Sequence, residues 1–285
     1  MPFAMPFPTK LLAALRQHWP HYLAEAIGIA FFVGCSGLLA LLVKHPASPM
    51  HQALPDNALL RRALIGLGVC FVLVLIVYSP WGKRSGAHIN PAVTLAFWQL
   101  GIIKPADALW YVLAQLAGAI GAAQVLKYVF GPLYAHPAVA YTVTQPVSPT
   151  RQDHLIAFGA EFFISFLLML VALQALHSAR LKKWTGWLLG ATLGLCVTFE
   201  APLSGMSLNP ARTLGTAVAA GSYRGLWVYW LAPPLAMWLA AVVFRRFHYG
   251  QPLKRAILAG GAPAAASPRA PSEAEPPRYP TERPE

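Results

Sequence analysis

Two stretches decide how this chain folds: Ser85-Gly-Ala-His-Ile-Asn-Pro-Ala92 and Ser204-Gly-Met-Ser-Leu-Asn-Pro-Ala211. In each Asn-Pro-Ala the proline pre-sets φ for a first helical position and pushes the residue before it out of the α region, while asparagine is among the best N-caps. Both copies are therefore helix starts. The helix after Asn90 and the one after Asn209 run only about 12 residues before a break, too short to cross a bilayer but long enough to reach its middle. Upstream, Ala24-Glu25 is echoed by Ala160-Glu161, so the likeness extends over two halves of the chain.

Outward from these loops the chain is strongly apolar, 56% hydrophobic and 11% charged, against about 25% charged residues in soluble domains. That composition describes an integral membrane protein and excludes a collagen, a disordered chain and a secreted disulfide scaffold. Six charge-poor runs are of spanning length, at about 22–43, 63–81, 108–130, 155–177, 184–201 and 225–244. Each half holds three spans and one half-helix. Three is odd, so the halves enter the membrane from opposite sides as an inverted repeat. The interval from glutamate to Asn-Pro-Ala is longer in the first half, and the loop at about 44–60 accounts for the excess. The first run is too long for a signal peptide and is read as a retained span. The resulting plan is a cytoplasmic segment 1–20, a membrane domain 21–245 with repeats at about 21–130 and 154–245, and a tail 251–285 too rich in Pro, Ala, Ser and Glu to fold.

The net charge of +12 does not point to nucleic acid, because the basic residues stand singly or in pairs between apolar runs. With both termini cytoplasmic, 15 Lys and Arg fall inside and 7 outside, as the positive-inside rule requires. Arg61 and Arg62, opening the second span from the outside, run against the trend. Cys35, Cys70 and Cys196 lie in apolar runs and read as inert small hydrophobes, so neither a disulfide nor a metal or cofactor is expected. No HExxH, GxSxG or phosphate-cradling loop appears, and an enzyme is not expected. A coupled transporter with broken helices is the nearest rival. It needs an intramembrane ion site, and Glu25 and Glu161 are the only carboxylates deep in the spans. Short loops and the absence of targeting signals suggest a bacterial inner membrane.

Paired Asn-Pro-Ala loops, the second continuing to Arg212, with Glu25 and Glu161 in spans one and four, resemble the aquaporin or major intrinsic protein family over about 20–245. The resemblance implies an all-α, right-handed bundle of six transmembrane helices with two re-entrant half-helices, a pore in each subunit and a homotetramer. Asn90, Pro91, Ala92, Asn209, Pro210 and Ala211 would form the pore centre, the asparagine amides donating to a single file of permeant molecules. Arg212 would be the selectivity-filter arginine, since a guanidinium at that depth must face an aqueous lumen. Glu25 and Glu161 would accept hydrogen bonds from loop N–H groups, with His88 bracing the first loop. Glycines 186, 190 and 194 form a small-xxx-small packing face.

The same resemblance places the rest of the filter at Met206, Val197 and Cys70, with Val69 the alternative to Cys70 because the segment 78–86 is one residue longer than usual. Neither the aromatic-plus-histidine set of strict water channels nor the aromatic cage of glycerol channels is present. The expected function is passive conduction of water with exclusion of ions and protons. The alternative is a channel for small neutral solutes such as glycerol, urea, hydrogen peroxide or neutral metalloid acids. Thr213 in place of the aspartate typical of glycerol facilitators, together with Ala217 and Tyr229-Trp230, keeps water first.

Overall fold

The structure, a computed structural model, describes residues 7–54 and 57–248, and its described residues form helices and loops without a strand. The tail from about 251 lies outside them. Eight helices carry the architecture: α1 (Phe7–Lys44), α2 (Ala58–Tyr78), α3 (Pro91–Gln99), α4 (Pro105–Ala135), α5 (Arg151–His177), α6 (Thr185–Phe199), α7 (Pro210–Ala220) and α8 (Leu226–Phe247). Five of them, α1, α2, α4, α5 and α8, are long and apolar enough to cross a membrane. The sixth expected span, α6, has 15 residues and is prolonged by a 3-10 turn at Lys182–Trp184 and a short helix at Ala201–Ser204.

The packing repeats between halves. In the first, α1 packs on α2 and α4; in the second, α5 packs on α6 and α8. The halves join where α2 meets α6 and where the half-helices cross over, α3 onto α8 and α7 onto α4. Close approach at the α2–α6 seam depends on absent side chains: a Cβ on Gly66 would stand 2.3 Å from the Gly194 carbonyl oxygen, and one on Gly194 2.6 Å from that of Gly66.

The first helix begins at Phe7, well before the apolar run at 22–43. Lys10, Arg16 and His18 break the apolar pattern ahead of that run, but this first part of the helix is held by α4. His18 Nδ1 lies 2.7 Å from the Asp107 carboxylate, Tyr22 donates to the same oxygen at 2.6 Å, and Trp110 Nε1 donates to the Leu11 carbonyl at 3.1 Å. At the other end of α4, Gly131 takes φ 44° and Pro132 follows, kinking the helix.

Candidate pore centre and constriction

The half-helices, of 9 and 11 residues, are about 14–16 Å long, half the thickness of a hydrocarbon core. Each asparagine caps its own helix. Asn90 Oδ1 accepts from Ala92 N at 2.9 Å, and Asn209 Oδ1 from Ala211 N at 3.0 Å and Arg212 N at 3.3 Å. The amide nitrogens then tie the loops together: Asn90 Nδ2 donates to the Leu208 carbonyl and Asn209 Nδ2 to the Ile89 carbonyl, both at 2.7 Å. An amide nitrogen carries two N–H groups, so one on each asparagine is left over from these bonds. Pro91 and Pro210 occupy the first helical turn, and Ala92 and Ala211 are fully buried behind them.

The carbonyls reach across because the residues bearing them adopt left-handed backbone, φ 42° at Ile89 and 60° at Leu208. For a β-branched residue such as Ile89 that conformation is strained and needs support. Two buried carboxylates give it. Glu25 accepts from His88 N at 3.0 Å, Ile89 N at 2.5 Å and Gln115 Nε2 at 2.8 Å. Glu161 accepts from Ser207 N at 2.6 Å, Leu208 N at 2.8 Å and Ser204 Oγ at 2.9 Å. These N–H groups have no water or helix to bond, and each would cost about 1–3 kcal/mol if orphaned. His88 packs between Phe97 and Tyr111, ring centroids 4.8 and 5.0 Å away, with Nδ1 3.2 Å from Thr94 Oγ1.

Residues that motif reading passed over complete the scaffold in symmetric pairs. Tyr111 donates to the Ser85 carbonyl at 2.7 Å, and Tyr229 bonds the Ser204 carbonyl in the same way. Thr94 and Thr213, each four residues past its asparagine, bond His88 and Ser207. The threonines' equal offset from the two asparagines is a signal in the sequence; the tyrosines, 21 and 20 residues past theirs, carry only an approximate one.

Two cavities lie on either side of the constriction. A central one of about 60 Å³ is lined by Asn90, Asn209, His88 and apolar side chains; a vestibule of about 540 Å³ is lined by Arg212, Met206, Val197 and Val69. Cys70 does not line the vestibule. Its Sγ stands 3.0 Å from where a Cβ on Gly190 would be, so it packs in the α2–α6 seam, and its neighbour Val69 lines the vestibule instead. Phe32, Leu193 and Ser207 line both cavities and so stand at their junction. Phe32, on α1, brings an aromatic ring to a neck that the motif positions leave without one. Arg212 is half-buried, donates from Nη1 to the Met206 carbonyl at 3.1 Å and has no carboxylate within ion-pair distance among the described residues.

Comparison with known proteins agrees with this geometry. The Major intrinsic protein family model matches residues 13–244. Aquaporin NIP1-1 of Arabidopsis thaliana is 32% identical over 84% of this chain and 77% of its own length. Nodulin-26 of Glycine max is 33% identical over 79% and 77%, and Aquaporin NIP6-1 of Arabidopsis thaliana is 37% identical over 72% of this chain and 64% of its own. An aquaglyceroporin from Plasmodium falciparum, solved by X-ray, shares the fold with a TM-score of 0.59 at 22% identity, over 81% of this chain and 95% of that one. With two capped half-helices meeting inside a repeated bundle and the family model spanning both, the chain belongs to the major intrinsic protein family of membrane channels.

Proposed function

We propose that this multi-pass membrane channel conducts water in single file and also passes small uncharged solutes, while excluding ions and protons. The observation that carries the reading is the pair of crossed asparagine bonds, which brings both half-helix N-termini to one point. Each N-terminus carries about half a positive charge. Together with the free amide N–H groups they orient water oxygens inward and repel cations, the exclusion that general principles describe for aquaporins. The constriction supports the second half of the proposal. Val69 and Val197 offer no hydrogen bond, Phe32 and Met206 supply bulk, and among these five residues Arg212 alone is a strong donor. A neck so composed discriminates by size and charge more than by hydrogen bonding.

The pore centre assigned to Asn90, Pro91, Ala92, Asn209, Pro210 and Ala211, the filter assigned to Arg212, Met206, Val197 and Val69, and the bracing by Glu25, Glu161 and His88 belong to this proposal. So do a homotetramer and an orientation with both termini cytoplasmic, supported by 15 of the 22 Lys and Arg residues lying on that side.

Stopped-flow light scattering on proteoliposomes tests the reading. Accelerated shrinkage under an impermeant osmolyte followed by accelerated re-swelling under urea or glycerol is expected. Shrinkage without re-swelling would restrict the channel to water, and neither would contradict the pore.

A further inference from the structure

The vestibule on the Arg212 side is lined by charges of one sign. Lys44 at the C-terminal end of α1, Arg62 in the second turn of α2 and Arg212 in α7 all line it, and no Asp or Glu does so among the described residues. The three lie near enough that Lys44 feels the charges of both Arg62 and Arg212. Little of their donor capacity is used by the protein. Arg62 commits Nε to the Thr198 carbonyl at 3.0 Å, Arg212 commits Nη1 to that of Met206 at 3.1 Å, and Lys44 has no acceptor among the described residues. A guanidinium carries five N–H donors and an ammonium three.

Like charges gathered in a partly desolvated cavity repel, and an anion among them turns that cost into attraction. The donor set selects the kind of anion. Guanidinium forks match the paired oxygens of a phosphate or carboxylate, and an oxyanion can accept from three cations at once where a halide offers one centre. The vestibule, at about 540 Å³, has room for such an ion, whereas the central cavity beyond the neck, at about 60 Å³, is apolar apart from the loop residues.

We infer that this vestibule is a binding site for a small oxyanion, phosphate-like or carboxylate, held by Lys44, Arg62 and Arg212, and that the bound anion plugs the mouth of the pore. The binding stands on the vestibule alone; the plugging rests on the pore proposed above.

The probe is inorganic phosphate against chloride at equal ionic strength and osmolality, in phosphatidylcholine proteoliposomes. Water permeability should fall along a one-site curve, about twofold at the concentration that half-fills the site. Thermal stability of the detergent-solubilised protein should rise with phosphate over the same range. Lys44→Gln and Arg62→Gln should each flatten both curves relative to their own chloride values, while Arg62→Lys, which keeps the charge, should retain part of the response. Phosphatidylglycerol vesicles separate two sources of the same chemistry: a lipid headgroup in the vestibule lowers permeability without added phosphate, and a soluble anion does not. Equal permeability and equal melting in phosphate and chloride would overturn the inference, as would a phosphate response undiminished in both glutamine variants. No water flow in either salt would sink the plugging with the pore, and the melting curves would still decide the binding.

Discussion

The two re-entrant loops are built alike but not filled alike. Ser85 and Ser204 receive the N–H of Ala87 and Met206, Gly86 and Gly205 both take left-handed backbone, and Glu25 and Glu161 each hold two consecutive loop N–H groups. Tyr111 and Tyr229, Thr94 and Thr213 continue the correspondence. It fails at two positions that line the cavities. Three residues past the asparagine the first loop has Val93 and the second Arg212; three residues before it the first has Ala87 where the second has Met206. Paired residues satisfy backbone groups that any loop entering a membrane leaves without water. The unpaired residues line the cavities, Met206 and Arg212 the vestibule and Ala87 and Val93 the central one. The difference teaches that the scaffold is what duplication preserves, and on the proposed function selectivity lies in the departures from it.

Breaking the scaffold should have the largest effect. Glu161→Ala removes the acceptor for Ser204 Oγ, Ser207 N and Leu208 N at once, at about 1–3 kcal/mol for each stranded donor. The expected outcome is loss of monodisperse protein on size exclusion, or a melting temperature far below the parent's. A well-folded, fully active Glu161→Ala protein would mean the loop is held by something else.

Arg212→Val makes the second loop like the first at its most divergent position. Urea permeability should rise about tenfold, equivalent to roughly 1.4 kcal/mol of barrier, and cation leak should become measurable in proteoliposomes, since a fixed positive charge has left the neck. Unchanged urea and ion flux would move the filter away from Arg212.

A smaller effect sharpens the account of α2. Val69→Cys places a thiol in the vestibule, and a methanethiosulfonate reagent should then reduce water flux by about half or more, as a group half-filling a single-file neck would. The parent protein, whose Cys70 is turned to Gly190, should be insensitive. Sensitivity of the parent would restore Cys70 to the pore.

These features were unequally legible in the sequence. The loops could be read because Asn-Pro is a local signal, and because its repetition with Glu25 and Glu161 fixed the whole-chain duplication. Arg212 was legible from the cost of a guanidinium at that depth. The choice between Val69 and Cys70 was not, since successive helical residues point about 100° apart and the added residue in 78–86 shifts the count by one. Phe32 gave no local signal at all: it lies in an unbroken apolar run, and only the packing of α1 brings it to the neck. The start of α1 at Phe7 was hidden because Lys10, Arg16 and His18 break the apolar pattern, whereas Asp107 and Trp110 on α4 anchor that stretch through contacts distant in sequence. The shortness of α6 was masked because its flanks stay helical, in a 3-10 turn at Lys182–Trp184 and a short α-helix at Ala201–Ser204.

The most direct test of the division between scaffold and selectivity is the ratio of urea to water permeability, which cancels differences in the amount of folded protein. It is measured for the parent, for the unpaired change Met206→Ala and for the paired change Thr94→Val. The account predicts a ratio about threefold higher in Met206→Ala, roughly 0.7 kcal/mol of barrier, and the parent's ratio in Thr94→Val even where total flux and melting temperature fall. A ratio that shifts as much in Thr94→Val as in Met206→Ala would contradict it.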